Sequence, residues 1–192
     1  MSHRIELEKS FYLDDKYEQI LNRIKEKNFE LTDELVEEDT YFTDKELKFI
    51  EDKVCLRTRK TDNKFVELTY KPKTSLETEL YGKKETNINL TIEDYDDIKY
   101  ILKELGYVEY VSFKKYRKTY SKIINNFEYN IMIDKIDGVG RFIEIEILAQ
   151  DYSNKEEASL QLDGFIKMLG CQDLKVKEKP YRDLVKGFGD GP

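Results

Sequence analysis

Alternation of apolar and polar residues recurs in about eight segments of this chain, and it constrains the fold more than any other feature of the sequence. A period of two places successive side chains on opposite faces of an extended strand, and these segments are rich in β-branched and aromatic residues. The predicted strands are residues 4–13, 30–43, 54–61, 64–71, 77–90, 108–121, 127–136 and 141–149. Turn-forming residues at 61–63 and 137–140 predict two hairpins, so we expect an antiparallel sheet.

Three amphipathic helices are predicted between the strands. Apolar residues recur at the spacing of one helical face in residues 15–28, after Thr91, which is a candidate N-cap, and after Asn154. Gly106 and Gly170 are expected to end the second and third helices. The sequence therefore predicts an α+β fold with one domain over residues 1–192, of which 187–192 would form a flexible tail.

Charge is unusually dense for an ordered chain. Charged residues make up 38% of the sequence and hydrophobic residues 39%, with a net charge of -7, while 12% of residues are aromatic, which argues against disorder. An acidic balance does not favour a duplex DNA binder. The two cysteines are far apart in the sequence and there is no signal pattern, so a cytoplasmic protein is predicted. No apolar run reaches about 18 residues, so no membrane partner is predicted, and the acidic balance predicts no nucleic acid partner.

The acidic residues of the strands are sorted onto common faces. Glu6 and Glu8 are two residues apart, as are Glu144 and Glu146, and Asp134 lies just before the predicted 137–140 turn. If these strands converge, five carboxylates share one volume, where a divalent cation would offset their repulsion. The alternative is that these glutamates are solvated on an exposed strand face.

The basic residues follow the same rule. Arg57 and Arg59 share a face, Lys115 and Arg117 share another, and Lys71 ends the strand that follows the 61–63 turn. Arginine and lysine rows of this kind bind phosphate groups, although lysine also protects strand edges that are exposed to solvent. Eight antiparallel strands can close into a barrel with a charged lumen, and such a lumen would account for both the acidic and the basic faces.

These motifs, in this order, resemble the CYTH superfamily, the triphosphate tunnel metalloenzymes that include class IV adenylyl cyclases, thiamine triphosphatases and inorganic triphosphatases. The resemblance extends from about residue 4 to residue 185. It is carried by Glu6-x-Glu8, Asp39-Thr-Tyr41-Phe42, Leu56-Arg57-x-Arg59, Glu67-Leu-Thr-Tyr-Lys71, Leu105-Gly106-Tyr107, Lys115-x-Arg117-x-x-Tyr120, Ile133-Asp134-x-Ile136, Phe142-x-Glu144-x-Glu146 and Lys179-Pro-Tyr181-x-x-Leu184.

The resemblance implies an antiparallel eight-stranded β-barrel, the triphosphate tunnel, with flanking helices. It also implies a Mg²⁺- or Mn²⁺-dependent enzyme, either a triphosphatase or a class IV adenylyl cyclase, that acts on ATP, thiamine triphosphate or tripolyphosphate, and it allows a homodimer. By position, the metal ligands would be Glu6, Glu8, Asp134, Glu144 and Glu146. The triphosphate ligands would be Arg57, Arg59, Lys71, Lys115 and Arg117, and the catalytic set Glu6, Glu8, Arg57, Lys71 and Glu144.

One departure from the family pattern leaves the activity open. The family's opening motif is Glu-x-Glu-x-Lys, but Ser10 occupies the lysine position here, and alternation places Lys9 on the opposite face of the strand. A non-catalytic sensor of triphosphate or polyphosphate is therefore an alternative to the enzyme. A β-barrel interaction module with solvated charges is a third hypothesis, and binding of triphosphate with metal would distinguish it from the other two.

Overall fold

The computed structural model describes residues 5–73, 85–124, 127–149 and 155–189, and these contain eight strands and five helices. The strands are β1 (Ile5–Tyr12), β2 (Glu30–Thr43), β3 (Cys55–Thr61), β4 (Phe65–Lys71), β5 (Thr86–Leu90), β6 (Val108–Ile124), β7 (Phe127–Ile136) and β8 (Gly140–Ala149). The helices are α1 (Tyr17–Glu26), α2 (Lys48–Glu51), α3 (Tyr95–Glu104), α4 (Lys155–Leu169) and α5 (Tyr181–Gly189). The strands form one sheet in the order β1-β8-β7-β6-β2-β3-β4-β5, so the predicted α+β class with eight strands is confirmed.

The described residues group into two compact units. Unit 1 comprises those within Met1–Leu35 and Tyr116–Pro180, and unit 2 those within Val36–Lys115 and Tyr181–Pro192. Strands β2 and β6 each contribute to both units.

The core of unit 1 lies between β1, β7 and β8 on one side and α1 and α4 on the other. Ile143 and Ile145 of β8 are fully buried, as are Ile20 of α1 and Leu169 of α4. Because β8 alternates, these isoleucines face the helices while Glu144 and Glu146 face the opposite side of the sheet. Packing of the helices on one face thus leaves the other face to the charged residues.

Unit 2 has a smaller core. Phe42 of β2, Leu56 of β3 and Leu102 of α3 form its buried cluster, and Phe49 and Tyr107 pack against it. Helix α3 therefore covers one face of the β2–β3 pair, and the alternate residues of these strands, which include the arginines of β3, occupy the other face.

Both predicted hairpins are present. Strands β3 and β4 pair antiparallel, and so do β7 and β8. Asp62 and Asn63, between β3 and β4, have φ angles of 50° and 53°, positive values that Asp and Asn tolerate. They are the central residues of a turn that the Lys64 amide closes by donating to the Thr61 carbonyl at 2.9 Å.

Several details differ from the sequence-based expectations. Helix α3 begins at Tyr95 and not directly after Thr91, and residues 91–94 form a turn in which the Thr91 amide and hydroxyl donate to Asp94 Oδ2. Helices α2 and α5 were not predicted, and α5 includes Gly187–Gly189 of the expected tail. Strand β5 covers only the end of the predicted strand 77–90, of which residues 77–84 lie outside the described residues.

Candidate functional site

The carboxylates of unit 1 lie on the face of the sheet that is opposite the helices. In the antiparallel β1–β8 pair, Glu8 is directly across from Glu146, and Ser10 is directly across from Glu144. Directly opposed residues share a face and have Cβ atoms about 4.5–5.5 Å apart, so like charges at Glu8 and Glu146 destabilise the bare sheet. Glu6 lies on the same strand two residues earlier, and its side chain is outside the described part of the structure.

Asp134 forms a two-point ion pair with Arg117. Arg117 donates from Nε to Asp134 Oδ1 and from Nη2 to Oδ2, both at 2.7 Å, and Asp134 is fully buried. The Arg117 Nη2 atom also lies 3.5 Å from Glu144 Oε1. The structure thus brings Asp134, a predicted metal ligand, together with Arg117, a predicted phosphate ligand, and each fixes the orientation of the other.

Ser10 and Lys9 face opposite sides of β1, as the alternation predicts. The Ser10 hydroxyl donates to Glu144 Oε2 at 3.4 Å, on the carboxylate face. Lys9 Nζ lies 2.7 Å from Asp163 Oδ1 of α4, on the helix side. Lys9 is therefore not a substitute for the lysine that the family motif has at position 10.

Asn130 of β7 extends the carboxylate face, and the motifs gave no indication of it. Its Nδ2 donates to Glu146 Oε1 at 3.1 Å, while its Oδ1 accepts a 2.6 Å hydrogen bond from Ser121. The amide lies across from Glu146 in the β7–β8 register. Asn130 thus fixes one oxygen of Glu146.

The basic residues of unit 2 are balanced by acidic partners. Arg59 donates from Nε and Nη2 to the two oxygens of Asp39, at 2.7 and 2.8 Å, and from Nη1 to Glu37 Oε1 at 2.8 Å. Asp39 is directly across from Arg59 in the β2–β3 register. Lys115 Nζ, only 2% exposed, lies 2.6 Å from Glu37 Oε2.

Electrostatics keep Asp39 ionised. Burial raises the pKa of Asp39, but the hydrogen bonds and charge of Arg59, with smaller contributions from Arg57 and Lys115, lower it more, so the net pKa lies below the usual range. Burial lowers the pKa of Arg59, but Asp39 and Glu37 raise it further, so the guanidinium is always charged. Asp39 and Arg59 are therefore an ion pair and not a pair of neutral groups.

Arg57 has a buried hydrogen-bond donor that no acceptor among the described residues satisfies. Its Nη2 donates to Thr69 Oγ1 at 3.0 Å and lies 3.4 Å from Glu67 Oε1, and its Nη1 lies 3.9 Å from Asp39. Its Nε is buried and has no hydrogen-bond partner among the described residues. A buried unpartnered donor on an ionised group favours an anionic ligand.

Two further features surround the cluster in unit 2. Lys71, at the end of β4, forms an ion pair with Glu85. A cavity of about 270 Å³ opens on Arg59 and Glu37, with Phe65 of β4 in its lining. Arg59 is therefore the predicted phosphate ligand that lines space a ligand can enter.

The sequence interpretation missed the counter-ions. Glu37 was not singled out, and Asp39 entered only as part of a motif, because a pair such as Glu37-Glu38 resembles an exposed strand edge. Glu37 and Asp39 are two residues apart on β2, as Arg57 and Arg59 are on β3. That matching spacing was the available signal, but it becomes informative only once the register of the two strands is known.

Residues 4–181 match the CYTH domain family. This range covers nearly the whole chain, and the chain therefore belongs to the CYTH family, with the fold that the sequence motifs implied. CYTH is a family of triphosphate-binding enzymes, and membership implies a divalent metal.

The individual relatives agree with this assignment. A Methanocaldococcus jannaschii protein named "Putative adenylate cyclase MJ0240" is 29% identical over 181 residues, which are 94% of this chain and 98% of that protein. The structure of the PH1819 protein from Pyrococcus horikoshii is 26% identical, with a TM-score of 0.71 over 94% of this chain and 98% of that one. A "Putative adenylyl cyclase HpAC1 from Hippeastrum", described as having a dominant triphosphatase activity, has the same fold at 16% identity and a TM-score of 0.68, covering 99% and 98% of the two chains.

The donor set of unit 1 fits a hard divalent cation in kind. Glu8, Glu144 and Glu146 offer carboxylate oxygens on one face of two paired strands, which is the ligand type that Mg²⁺ and Mn²⁺ prefer. Among the residues that the structure describes, no three Asp, Glu, His or Cys side chains are already spaced as a metal site. The oxygens of Glu144 accept hydrogen bonds from Ser10 and Arg117, and Glu146 Oε1 accepts one from Asn130.

No helix within the described ranges is both long enough and apolar enough to cross a membrane.

Proposed function

We propose that this protein is a metal-dependent triphosphatase: it binds an organic or inorganic triphosphate together with Mg²⁺ or Mn²⁺ and hydrolyses the terminal phosphate. The observation that carries the proposal is the buried, unpartnered Nε of Arg57 within a cluster of ionised arginine and lysine side chains. Ordinary structural arginines have their buried donors satisfied, so this donor favours an oxyanion ligand.

In this proposal the cations of unit 2 bind the phosphate chain. Arg57 donates hydrogen bonds to phosphate oxygens, and Arg59, Lys71 and Lys115 add positive charge. Glu37 and Asp39 hold the guanidinium of Arg59 in place, because their oxygens fix three of its N–H groups. A rigid arrangement of donors can stabilise the charge that develops on the phosphoryl oxygens without reorganising during the reaction.

In unit 1, taken by itself, the carboxylate face is the candidate cation site. Glu6, Glu8, Glu144 and Glu146 would be the metal ligands, and a bound Mg²⁺ or Mn²⁺ would supply neutralisation of phosphate charge. Arg117, which the ion pair with Asp134 orients, would bind phosphate through its positive charge. We therefore assign Asp134 a positioning role before a metal-ligating one.

The reaction of a triphosphatase needs only groups of these kinds. Water attacks the terminal phosphorus, the bond from that phosphorus to the bridging oxygen breaks, and orthophosphate and a diphosphate are released. The carboxylates of Glu8 and Glu144 can accept hydrogen bonds from the attacking water and orient it.

Cyclisation of ATP is the second candidate, because the Methanocaldococcus relative carries the name of an adenylate cyclase. In that reaction the 3′-hydroxyl of the substrate attacks the α-phosphorus and diphosphate leaves. Binding without turnover is the third candidate, because Ser10 replaces the lysine of the family motif.

Phosphorus NMR separates these three candidates. The pure protein is incubated with ATP, thiamine triphosphate or tripolyphosphate, first with Mg²⁺ and then with Mn²⁺. Growth of an orthophosphate signal supports the triphosphatase and ranks its substrates. Formation of cyclic AMP and diphosphate supports the cyclase instead. Line broadening without any product supports a sensor that binds triphosphate without turnover. Sharp, unchanged spectra with all three compounds contradict every form of triphosphate binding.

A further inference from the structure

A short segment after α4 pairs with the edge of β1 that β8 leaves open. The Tyr12 amide donates to the Lys175 carbonyl at 2.9 Å, and the Lys177 amide donates to the Ser10 carbonyl at 2.8 Å. Val176 forms an antiparallel bridge with Phe11 between these two bonds. All these residues belong to unit 1.

This pairing fixes the side of the sheet to which Lys177 belongs. With Val176 across from Phe11 in an antiparallel bridge, Lys177 is across from Ser10, and residues across from each other share a face. Ser10 is in turn across from Glu144 on its other side. Lys177, Ser10 and Glu144 therefore form one row across three adjacent strands, on the carboxylate face.

A neighbouring contact supports this register independently. Lys175 is two residues before Lys177 and therefore shares its face, where it lies across from Tyr12. The Lys175 Nζ atom lies 5.3 Å from the centre of the Tyr12 ring, as this register requires.

The environment of Lys177 is acidic. Burial lowers the pKa of Lys177 below its usual value, while the charges of Glu144, Glu8 and Asp134 raise it and that of Arg117 lowers it. These are the charged groups of unit 1 that the proposed function assigns to metal and phosphate. The Lys177 Nζ atom donates to the Lys179 carbonyl oxygen at 3.5 Å, and its charge also interacts with Glu144, which is across from Ser10.

We infer that Lys177 supplies the ammonium group that position 10 lacks, and that it binds a phosphate oxygen of the triphosphate beside Glu8 and Glu144. Adjacent strands lie about 4.8 Å apart, and an extended lysine side chain spans more than that distance, so a lysine on the neighbouring segment reaches the space above Ser10. In the family motif the lysine lies on the first strand, whereas Lys177 lies on the segment next to β1, on the same face of the sheet. This inference rests on the proposed triphosphate binding.

The experiment is a titration of tripolyphosphate with Mg²⁺ by isothermal calorimetry on wild-type protein, Lys177→Met and the double variant Lys177→Met/Ser10→Lys. Lys175→Met is the matched control, because it removes a lysine from the same segment and the same face. Because Lys177→Met removes a charge-assisted hydrogen bond, we expect it to lower the affinity for tripolyphosphate about 10-fold or more. The affinity of Lys175→Met should stay within about 2-fold of wild type.

The double variant decides between a binding role and a structural one. If Lys177 binds phosphate, the added Ser10→Lys substitution restores most of the lost affinity, because it places an ammonium group in the same row. If Lys177 only compensates carboxylate charge or holds the segment, its removal lowers the thermal midpoint of the free protein and the added Ser10→Lys substitution leaves the affinity low. Lys177→Gln, which keeps a polar side chain, serves if the methionine variant does not fold.

The outcomes also separate the inference from the proposed function. Wild-type affinity in Lys177→Met and Lys177→Gln overturns the inference and leaves triphosphate binding intact, as does failure of Ser10→Lys to restore affinity. No heat of binding from the wild-type protein overturns both.

Discussion

Replacing Asp39 by asparagine tests whether the ionic network of unit 2 is as tightly coupled as its geometry indicates. Asp39 is 1% exposed and accepts two hydrogen bonds from Arg59, at 2.7 and 2.8 Å. The asparagine amide keeps one acceptor, but its NH₂ group faces a guanidinium N–H, so one bond and the compensating charge are lost. The substitution changes hardly any volume.

The size of the effect follows from burial. Removing one partner of a buried ion pair costs about 3–5 kcal/mol, because the remaining charge stays out of water without compensation. Here Glu37 still accepts from Arg59 at 2.8 Å and keeps part of that compensation. We therefore expect Asp39→Asn to lower the free energy of unfolding by about 3 kcal/mol at neutral pH.

The pH dependence has a definite sign. Because the folded-state pKa of Asp39 is lowered, the carboxylate stabilises the fold fully above its unfolded pKa, and this contribution is lost as the pH falls through the folded value. The difference between wild type and Asp39→Asn should thus be constant from about pH 7 to pH 5 and should shrink below about pH 4.

Urea unfolding measures both quantities. Far-ultraviolet circular dichroism and tyrosine fluorescence are suitable probes, since the chain has 14 tyrosines and no tryptophan. Asp33→Asn, at an exposed position, is the control and should change little. A loss below about 1 kcal/mol for Asp39→Asn near pH 7, or a loss that persists unchanged in acid, refutes the account of this network.

Three further predictions concern the carboxylate face, the phosphate cluster and the thiols. Glu144→Gln should abolish metal-dependent turnover while the thermal midpoint without ligand changes little, and full activity would contradict its assignment as a metal ligand. Arg57→Met should weaken triphosphate binding about 10- to 100-fold in calorimetry, whereas Arg141→Met, at an exposed position, should not, and equal affinities would remove the main support for the site. Burial raises the pKa of Cys171 to about 12 and also raises that of Cys55, so neither thiol should react quickly with an aromatic disulfide reagent near pH 8 until urea is added. Rapid labelling of Cys171 in the folded protein would contradict the packing of unit 1, and rapid labelling of Cys55 would contradict the packing of unit 2.

The strands were predictable because their alternation is strong and bounded by turn residues. Strands β2 and β7 have the predicted bounds. Helix α5 was not predicted, because Pro180 directly before it and Gly187 and Gly189 near its end resemble the boundary of a disordered tail. Such a short helix is stabilised by tertiary contacts and not by its own propensity, so the local sequence does not specify it.

The candidate site was predictable in its residue types but not in its pairings. The rows at Arg57 and Glu144 follow from a period of two within each strand. The pairing of Asp134 with Arg117 and of Glu37 with Lys115 depends on which strands are neighbours and in what register. Lys177 was overlooked because its row with Ser10 joins residues far apart in sequence, and no local pattern marks such a contact.

The pairing of β1 also affects the order in which the fold can be completed. This strand contains some of the first described residues, yet its partners are β8 and the segment around Val176, near the other end of the chain. A ribosome adds about 5–20 residues per second, so β1 waits several seconds with both edges unpaired before either partner has been synthesised. Charged side chains on a strand disfavour its pairing with other chains, and Glu8 and Lys9 place such charges on β1. We therefore expect the charges that we assign to metal binding and helix contact in the finished protein also to reduce aggregation of the unpaired strand during synthesis.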